Sequence, residues 1–159
     1  MGFVCDPNPM RTADQWLSEY EGTHQNPVNK KIHWVCVPAI FWSVVALLWS
    51  LPVPGFMQVA RGLNWATIVA VFALLFYLKL GVAHFLRMLV VTLAALAFSA
   101  GLAGAGLPLA WIAGGVFVIA WIGQFYGHKV EGKKPSFFDD LLFLLIGPLW
   151  IIEALRKRA

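Results

Sequence analysis

Hydrophobic positions in this chain form long uncharged runs, which short polar or turn-forming stretches separate. The longest run extends from Met88 to His128 without an Asp, Glu, Lys or Arg. A run of that length accommodates two bilayer crossings at about 20 residues each. The pattern therefore predicts an all-α, polytopic membrane protein.

Four transmembrane helices follow from the apolar runs. We predict spans at about 32–51, 64–80, 85–103 and 109–128. The segment 52–55, Pro-Val-Pro-Gly, is a turn signal after the first span, and the small-residue stretch 101–108 predicts a tight turn between the last two.

A fifth apolar segment, at about 137–155, has too few consecutive uncharged residues for a crossing and is broken by Gly147-Pro148. We expect it to form a short interfacial or re-entrant helix. Residues 1–31 are polar, so the chain divides into an N-terminal polar segment and a single membrane bundle over residues 32–159.

Composition supports this class of protein. Hydrophobic residues make up 60% of the chain and charged residues 13%, whereas soluble domains carry about 25% charge. The net charge of +4 is scattered among apolar segments and forms no basic face, so nucleic acid is not an expected partner. The two cysteines, Cys5 and Cys36, indicate neither a disulfide framework nor a thiolate metal site.

The basic residues predict the orientation of the bundle, because cytoplasmic connections collect Lys and Arg. With the N-terminus inside, every Lys and Arg except Arg61 falls on the cytoplasmic side. Four spans then place both termini inside. We expect a bacterial inner membrane rather than the endoplasmic reticulum, because the chain is short and has no evident retention signal.

The same topology places all four histidines on the cytoplasmic side: His24, His33, His84 and His128. A lone histidine at the end of a span is usually an interfacial residue or a helix cap. Several histidines on one side of the membrane favour a metal site, because imidazole is the commonest metal-ligating side chain.

Neighbouring polar residues add detail to this metal site. Asn26 followed by Pro27 is typical of a helix start, which would put Asn29 and His33 on one helical face. A ligand histidine commonly has such a hydrogen-bonding partner.

At the far end of the chain, Gln124, His128 and Glu131 also share a face. Gln124 is expected to bind an imidazole or a substrate, or else to join two helices. Glu131 is either a functional carboxylate or a solvated member of a charged loop.

Two stretches resemble the fungal 2-hydroxy fatty acid dioxygenase family. They are residues 20–38, YEGTHQNPVNKKIHWVCVP, and residues 124–135, QFYGHKVEGKKP. The resemblance implies a small membrane enzyme that uses Fe(II) and dioxygen to oxidise a 2-hydroxy fatty acid. The product is the acid one carbon shorter, with release of carbon dioxide, so fatty acid, dioxygen and membrane lipid are the expected partners.

Carried over to this chain, the resemblance marks three metal ligands, His24, His33 and His128, with Asn26 and Asn29 in support. His84 lies outside the matching stretches and is a further candidate ligand. Glu131, the candidate catalytic carboxylate, stands three residues after His128, where the family's Glu often stands four after. A 2-hydroxy acid suits such a site because its carboxylate and hydroxyl oxygens can chelate iron.

Two other functions are compatible with the residues alone. His33 and His128 on adjacent spans are candidate axial ligands of a haem in an electron-transfer protein. Alternatively, the chain is a non-catalytic membrane scaffold with interfacial histidines. A Soret band would indicate the haem protein, and the absence of stoichiometric metal would indicate the scaffold. The sequence does not predict an oligomeric state.

Overall fold

The computed structural model describes residues 11–58, 60, 62–135 and 142–157. Within these ranges the regular structure is entirely helical, which confirms the all-α prediction. The helices are α1 (Ala13–Gly22), α2 (Pro27–Trp49), α3 (Trp65–Leu80), α4 (Val82–Gly104), α5 (Leu109–Glu131) and α6 (Phe143–Arg156), with a 3-10 turn at Gly55–Met57. Cys5 and Arg61 lie outside the described residues.

Three of these helices, α2, α4 and α5, are long and apolar enough to cross a bilayer, each with 23 residues. The chain is therefore a membrane protein by the length and composition of its helices. The prediction of four spans is confirmed only in part. Helix α3 is apolar but has 16 residues, or about 24 Å at 1.5 Å per residue, against a hydrocarbon core of about 30 Å.

Helix α2 begins at Pro27, before the predicted start of the first span at 32. The Asn26 side chain accepts a hydrogen bond from the Val28 backbone N–H at 2.9 Å, and Pro27 occupies the first helical position. These contacts confirm the predicted helix start. The helix thus joins the polar segment to the membrane bundle and carries both Asn29 and His33.

Helix α2 is the centre of the bundle and packs most extensively against α5. Gly123 and Gly127 of α5 make this approach possible. A Cβ atom on Gly123 would lie 2.6 Å from Cys36 Sγ, and one on Gly127 would overlap Asn29 Oδ1. A Gly-x-x-x-Gly spacing of this kind lets two helix backbones come close together, and here it brings the start of α2 beside the end of α5.

Helices α1 and α6 pack together near the same end of the bundle. Trp16 and Tyr20 of α1 are buried with Phe143 and Trp150 of α6. The Trp16 and Phe143 ring centroids are 4.9 Å apart in an edge-to-face arrangement. Helix α6 occupies most of the segment predicted to be interfacial or re-entrant, and residues 137–141 of that segment lie outside the described residues. Its placement relative to a bilayer stays a prediction.

Candidate metal centre

Three of the predicted ligands, His24, His33 and His128, come together in the structure. All three are buried, and one ring nitrogen from each lies within 4.8 Å of the others. The Nε2 atoms of His33 and His128 are 3.2 Å apart. The His24 ring centroid lies 4.3 Å from that of His33 and 5.0 Å from that of His128. The loop before α2, the first turns of α2 and the end of α5 each supply one imidazole.

Backbone carbonyl groups orient two of these rings. His24 Nδ1 lies 2.6 Å from the Tyr20 carbonyl oxygen, and His33 Nδ1 lies 3.0 Å from the Asn29 carbonyl oxygen. A carbonyl can only accept, so Nδ1 carries the proton in both rings and Nε2 keeps its lone pair. Carbonyl groups commonly fix the tautomer of a metal-binding histidine in this way.

Unpaired nitrogen atoms remain inside the cluster. Among the described residues, His24 Nε2 and His128 Nδ1 are buried without a hydrogen-bond partner. An unsatisfied buried polar group costs about 1–3 kcal/mol, so native proteins rarely leave one unexplained. Bonds from histidine to a metal are about 2.1 Å long, which puts two nitrogens on one ion about 3 Å apart. The three residues therefore fit a metal ion, whose identity the donor set does not specify.

The surroundings keep His24 neutral. Burial lowers the pKa of His24 to about 4, although its hydrogen bond to the Tyr20 carbonyl acts in the opposite direction. The neutral imidazole is the form that binds metal. Tyr20 stacks on His24 with ring centroids 4.1 Å apart, and burial raises the pKa of its own phenol. Both side chains are therefore uncharged at neutral pH.

Glu131 ties the loop that carries His24 to the end of α5. Its Oε1 accepts a hydrogen bond from the Gln25 backbone N–H at 2.8 Å. Its Oε2 accepts from the Asn26 backbone N–H and from Asn29 Nδ2, both at 2.9 Å. A carboxylate is favoured here because the N-terminus of α2 presents unpaired N–H groups. These contacts give Glu131 a positioning role, and its catalytic role stays a prediction.

Gln124 lies one turn before His128 and is buried. Together with the three histidines it lines one end of a cavity of about 430 Å³, a volume within the usual range of ligand pockets. The rest of the lining is mostly apolar and comes largely from α2, α3, α5 and α6. The polar groups thus converge at one end of an apolar chamber.

The structure does not bring His84 to the other three histidines. His84 lies at the start of α4, where its Nδ1 is 3.3 Å from Glu153 Oε1. Glu153 is buried in α6 and also accepts hydrogen bonds from Arg87 and, at 3.0 Å, from Arg156 Nε. This group is an ion-pair cluster between α4 and α6.

Several residues that shape the site were not predicted from the sequence. The Gly-x-x-x-Gly spacing of Gly123 and Gly127 was a usable signal for close helix packing. Glu153, a carboxylate at the end of an apolar segment, was a comparable signal for the separate ion-pair cluster between α4 and α6. Tyr20 begins the family-like stretch 20–38, but its contribution to His24, a backbone carbonyl and a stacked ring, depends on the fold.

Comparison with known proteins identifies the family of this chain. Residues 10–159 match the family described as "2-hydroxy-palmitic acid dioxygenase Mpo1-like". The chain belongs to the Mpo1-like family. A relative in this comparison is the protein named 2-hydroxy-palmitic acid dioxygenase MPO1 from Saccharomyces cerevisiae. It is 28% identical over 138 residues, which cover 86% of this chain and 75% of the yeast protein. No solved structure matches the chain.

Membership of the Mpo1-like family confirms the resemblance drawn from residues 20–38 and 124–135, because the match extends over both stretches. The three clustered histidines all lie within those stretches, whereas His84 lies between them.

Proposed function

We propose that this protein is an Fe(II)-dependent dioxygenase that converts a 2-hydroxy fatty acid into the acid one carbon shorter and carbon dioxide. One observation carries the proposal: three buried histidines meet at the polar end of an apolar cavity. The family description and the name of the yeast relative support the class of substrate and of reaction.

The proposed reaction balances with dioxygen alone. The bond between C1 and C2 of the hydroxy acid breaks, C1 leaves as carbon dioxide, and C2 becomes the new carboxyl carbon. This change removes four electrons from the substrate, and reduction of one dioxygen molecule consumes four. The five oxygen atoms of the hydroxy acid and dioxygen are then found in the shorter acid, carbon dioxide and one molecule of water. No further reductant is required.

Bound Fe(II) would supply a Lewis acid for the substrate's carboxylate and hydroxyl oxygens and a redox centre for dioxygen. His24, His33 and His128 would hold it on one side and leave positions open for substrate and dioxygen. Gln124 is placed to hydrogen-bond the polar head of the substrate, since it lines the cavity one turn from His128. Glu131 keeps the loop bearing His24 against α5 through three hydrogen bonds.

The geometry favours a single ion over a haem. Axial histidines of a haem face each other across the macrocycle, with the iron between them. Here the Nε2 atoms of His33 and His128 are only 3.2 Å apart, and His24 adjoins both rings. This arrangement offers three donors to one centre and leaves no space for a porphyrin between the two rings.

The proposal includes a location. The apolar helices α2, α4 and α5 place the protein in a membrane. We propose the inner membrane of a bacterium, with both termini and the three histidines on the cytoplasmic side. The support is the distribution of Lys and Arg, which collects at the end of the bundle that holds the histidines.

The direct test is turnover by the detergent-purified full chain. The protein is loaded with Fe(II) under argon and then given 2-hydroxy-palmitic acid and air. We expect an acid one carbon shorter, identified by mass spectrometry, with one dioxygen consumed per product formed. Palmitic acid without the hydroxyl group, and protein treated with a chelator, serve as controls. Bound iron with no product from any 2-hydroxy acid would contradict the proposal.

A further inference from the structure

The cavity that begins at the three histidines follows one face of α2 into the bundle. The α2 residues that line it have the spacing of one helical face: His33, Val37, Ile40, Phe41, Val44, Val45 and Leu48. From His33 to Leu48 the helix rises about 22 Å at 1.5 Å per residue. That length exceeds half of a hydrocarbon core of about 30 Å, the depth that one lipid chain spans in a leaflet.

Small side chains of α3 form part of the opposite wall. Ala66, Ala70 and Ala73 all line the cavity, so a larger side chain at these positions would project into it. Helix α3 follows α2 and returns from its far end, and Ala66 packs with Val45 near that end. Ala66 is therefore the deepest of the three alanines, and Ala73 is the nearest to the histidines.

We propose that this cavity holds the single acyl chain of the substrate, and that Ala70, Ala66 and Leu48 set the longest chain that fits. The inference rests on the proposed function for the identity of the polar head. An acyl chain suits the space because the lining beyond Gln124 is apolar except for Thr92 and the indole of Trp121. Each methylene buried there strengthens binding roughly fourfold.

The cavity is open on the side of the bundle. Val44 and Val69 line it and are 39% and 44% exposed. Helix α5 packs chiefly on α2, whereas α3 packs on α4 and α2, so α3 and α5 are not closely packed against each other. An acyl chain can therefore enter from the lipid phase while its head reaches the histidines, without passing through water.

Binding of a homologous series of acids tests this assignment. A fluorescent fatty acid is bound to the detergent-solubilised full chain under argon. It is then displaced by saturated 2-hydroxy acids that range from 2-hydroxy-lauric to 2-hydroxy-stearic acid. We expect affinity to rise with chain length and then to level off, where the chain reaches the end of the cavity.

Three variants locate that end. Ala70→Phe should weaken binding of the longest acid roughly fifteenfold, since about two methylenes lose their place, and leave the shortest acid unchanged. Leu48→Ala should move the plateau to longer acids. Val71→Phe adds an aromatic ring at the neighbouring, 55% exposed position and should leave the series unchanged.

The inference would be overturned if affinity levels off at the same chain length in both Ala70→Phe and Leu48→Ala. It would also be overturned if Ala70→Phe weakens the binding of all acids equally. If Ala70→Phe does not fold, the shift in Leu48→Ala decides alone. Displacement of the probe by a phospholipid as effectively as by a 2-hydroxy acid would also overturn it. Binding is measured without dioxygen, so the two proposals can fail separately. If the variants shift the chain length at which affinity levels off but no turnover is found, only the proposed reaction is refuted. If turnover is found but that chain length does not shift, only the cavity assignment is refuted.

Discussion

His33 on α2 and His128 on α5 place their Nε2 atoms 3.2 Å apart inside the bundle. Two imidazoles this close, with a third beside them, are difficult to satisfy by hydrogen bonds alone, and two of their nitrogens are unpaired. A cation bound by the Nε2 atoms would give His24 Nε2 a partner, and this leads to the first prediction.

Replacing any one of the three clustered histidines should abolish both metal binding and turnover. We expect His24→Ala, His33→Ala and His128→Ala to lose stoichiometric iron, measured by elemental analysis, while His84→Ala keeps it because His84 pairs with Glu153. In thermal unfolding, Fe(II) at 100 times its dissociation constant should stabilise the unsubstituted chain by about 2.7 kcal/mol. Full iron occupancy in His33→Ala and His128→Ala would refute the site.

Gly127→Ala should disrupt the helix contact on which the site depends. The added methyl group would overlap Asn29 Oδ1, and Asn29 donates to Glu131 and accepts from His33. Overpacking of this kind costs about 1–3 kcal/mol, and we expect weaker iron binding as well. Unfolding in detergent and iron titration measure the two effects.

The matched control for that variant is Gly115→Ala, on the same helix. A Cβ atom at Gly115 meets nothing within 4 Å. Alanine is also the better helix former by about 0.5–1 kcal/mol, so this variant should be neutral or slightly stabilised. Equal destabilisation by the two substitutions would show that the close approach of α2 and α5 is not the cause.

Glu131→Gln should loosen the loop that carries His24. The amide oxygen can accept only some of the three hydrogen bonds that the carboxylate now receives. Hydrogen bonds to a charged group contribute about 1.5–3 kcal/mol, so we expect a loss of roughly that size in the free energy of unfolding. A positioning role predicts weaker iron binding, with turnover largely recovered at saturating Fe(II). Normal iron affinity with no turnover would instead indicate a catalytic carboxylate.

The ion-pair cluster around Glu153 predicts a pH-dependent stability. Burial raises the pKa of Glu153, but the hydrogen bond from Arg156 and the charges of Arg87 and Arg156 outweigh it, so the pKa lies below its usual range. A carboxylate with a lowered native pKa stabilises the fold above its unfolded pKa of about 4.3, and this stabilisation is lost as the pH falls through the native value. Glu153→Gln should therefore destabilise the protein by about 1–3 kcal/mol at pH 7.

Unfolding of both proteins between pH 7 and pH 3 provides the measurement. The difference between them should stay constant down to about pH 5 and shrink below about pH 4. Glu19→Gln is the control, because Glu19 pairs with Arg11 on the surface, where ion pairs contribute about 0–1 kcal/mol. If the difference in unfolding free energy between the two proteins does not change between pH 7 and pH 3, Glu153 is not the titrating group.

Much of the fold could be predicted because transmembrane segments are locally determined. Uncharged runs mark the apolar helices, and Asn26 with Pro27 marks the start of α2. The predicted span 64–80 matches α3, which Gly81 at φ 134° ends before α4 begins directly afterwards. Hydropathy alone did not show that α4 begins at Val82, three residues before the predicted start at 85.

The topology predicted the side of the membrane on which the histidines lie. It did not predict which of their side chains are in contact. Counting spans places His84 at the same end of the bundle as His24, His33 and His128. Which of them meet depends on helix rotation and on which helices are neighbours. That choice follows from Gly127, whose missing side chain lets Asn29 approach. The role of Glu131 likewise depends on a loop packed against a distant helix end.

The hydrogen bonds from Gln25, Asn26 and Asn29 to Glu131 join residues more than 100 positions apart in the chain. During synthesis the first two imidazoles emerge early, but the third imidazole and this carboxylate arrive only with the end of α5. A complete set of ligands therefore exists only after the last long helix has been inserted. Loading of the proposed metal site would then be a late step of biogenesis, because it requires α2 and α5 to have packed together.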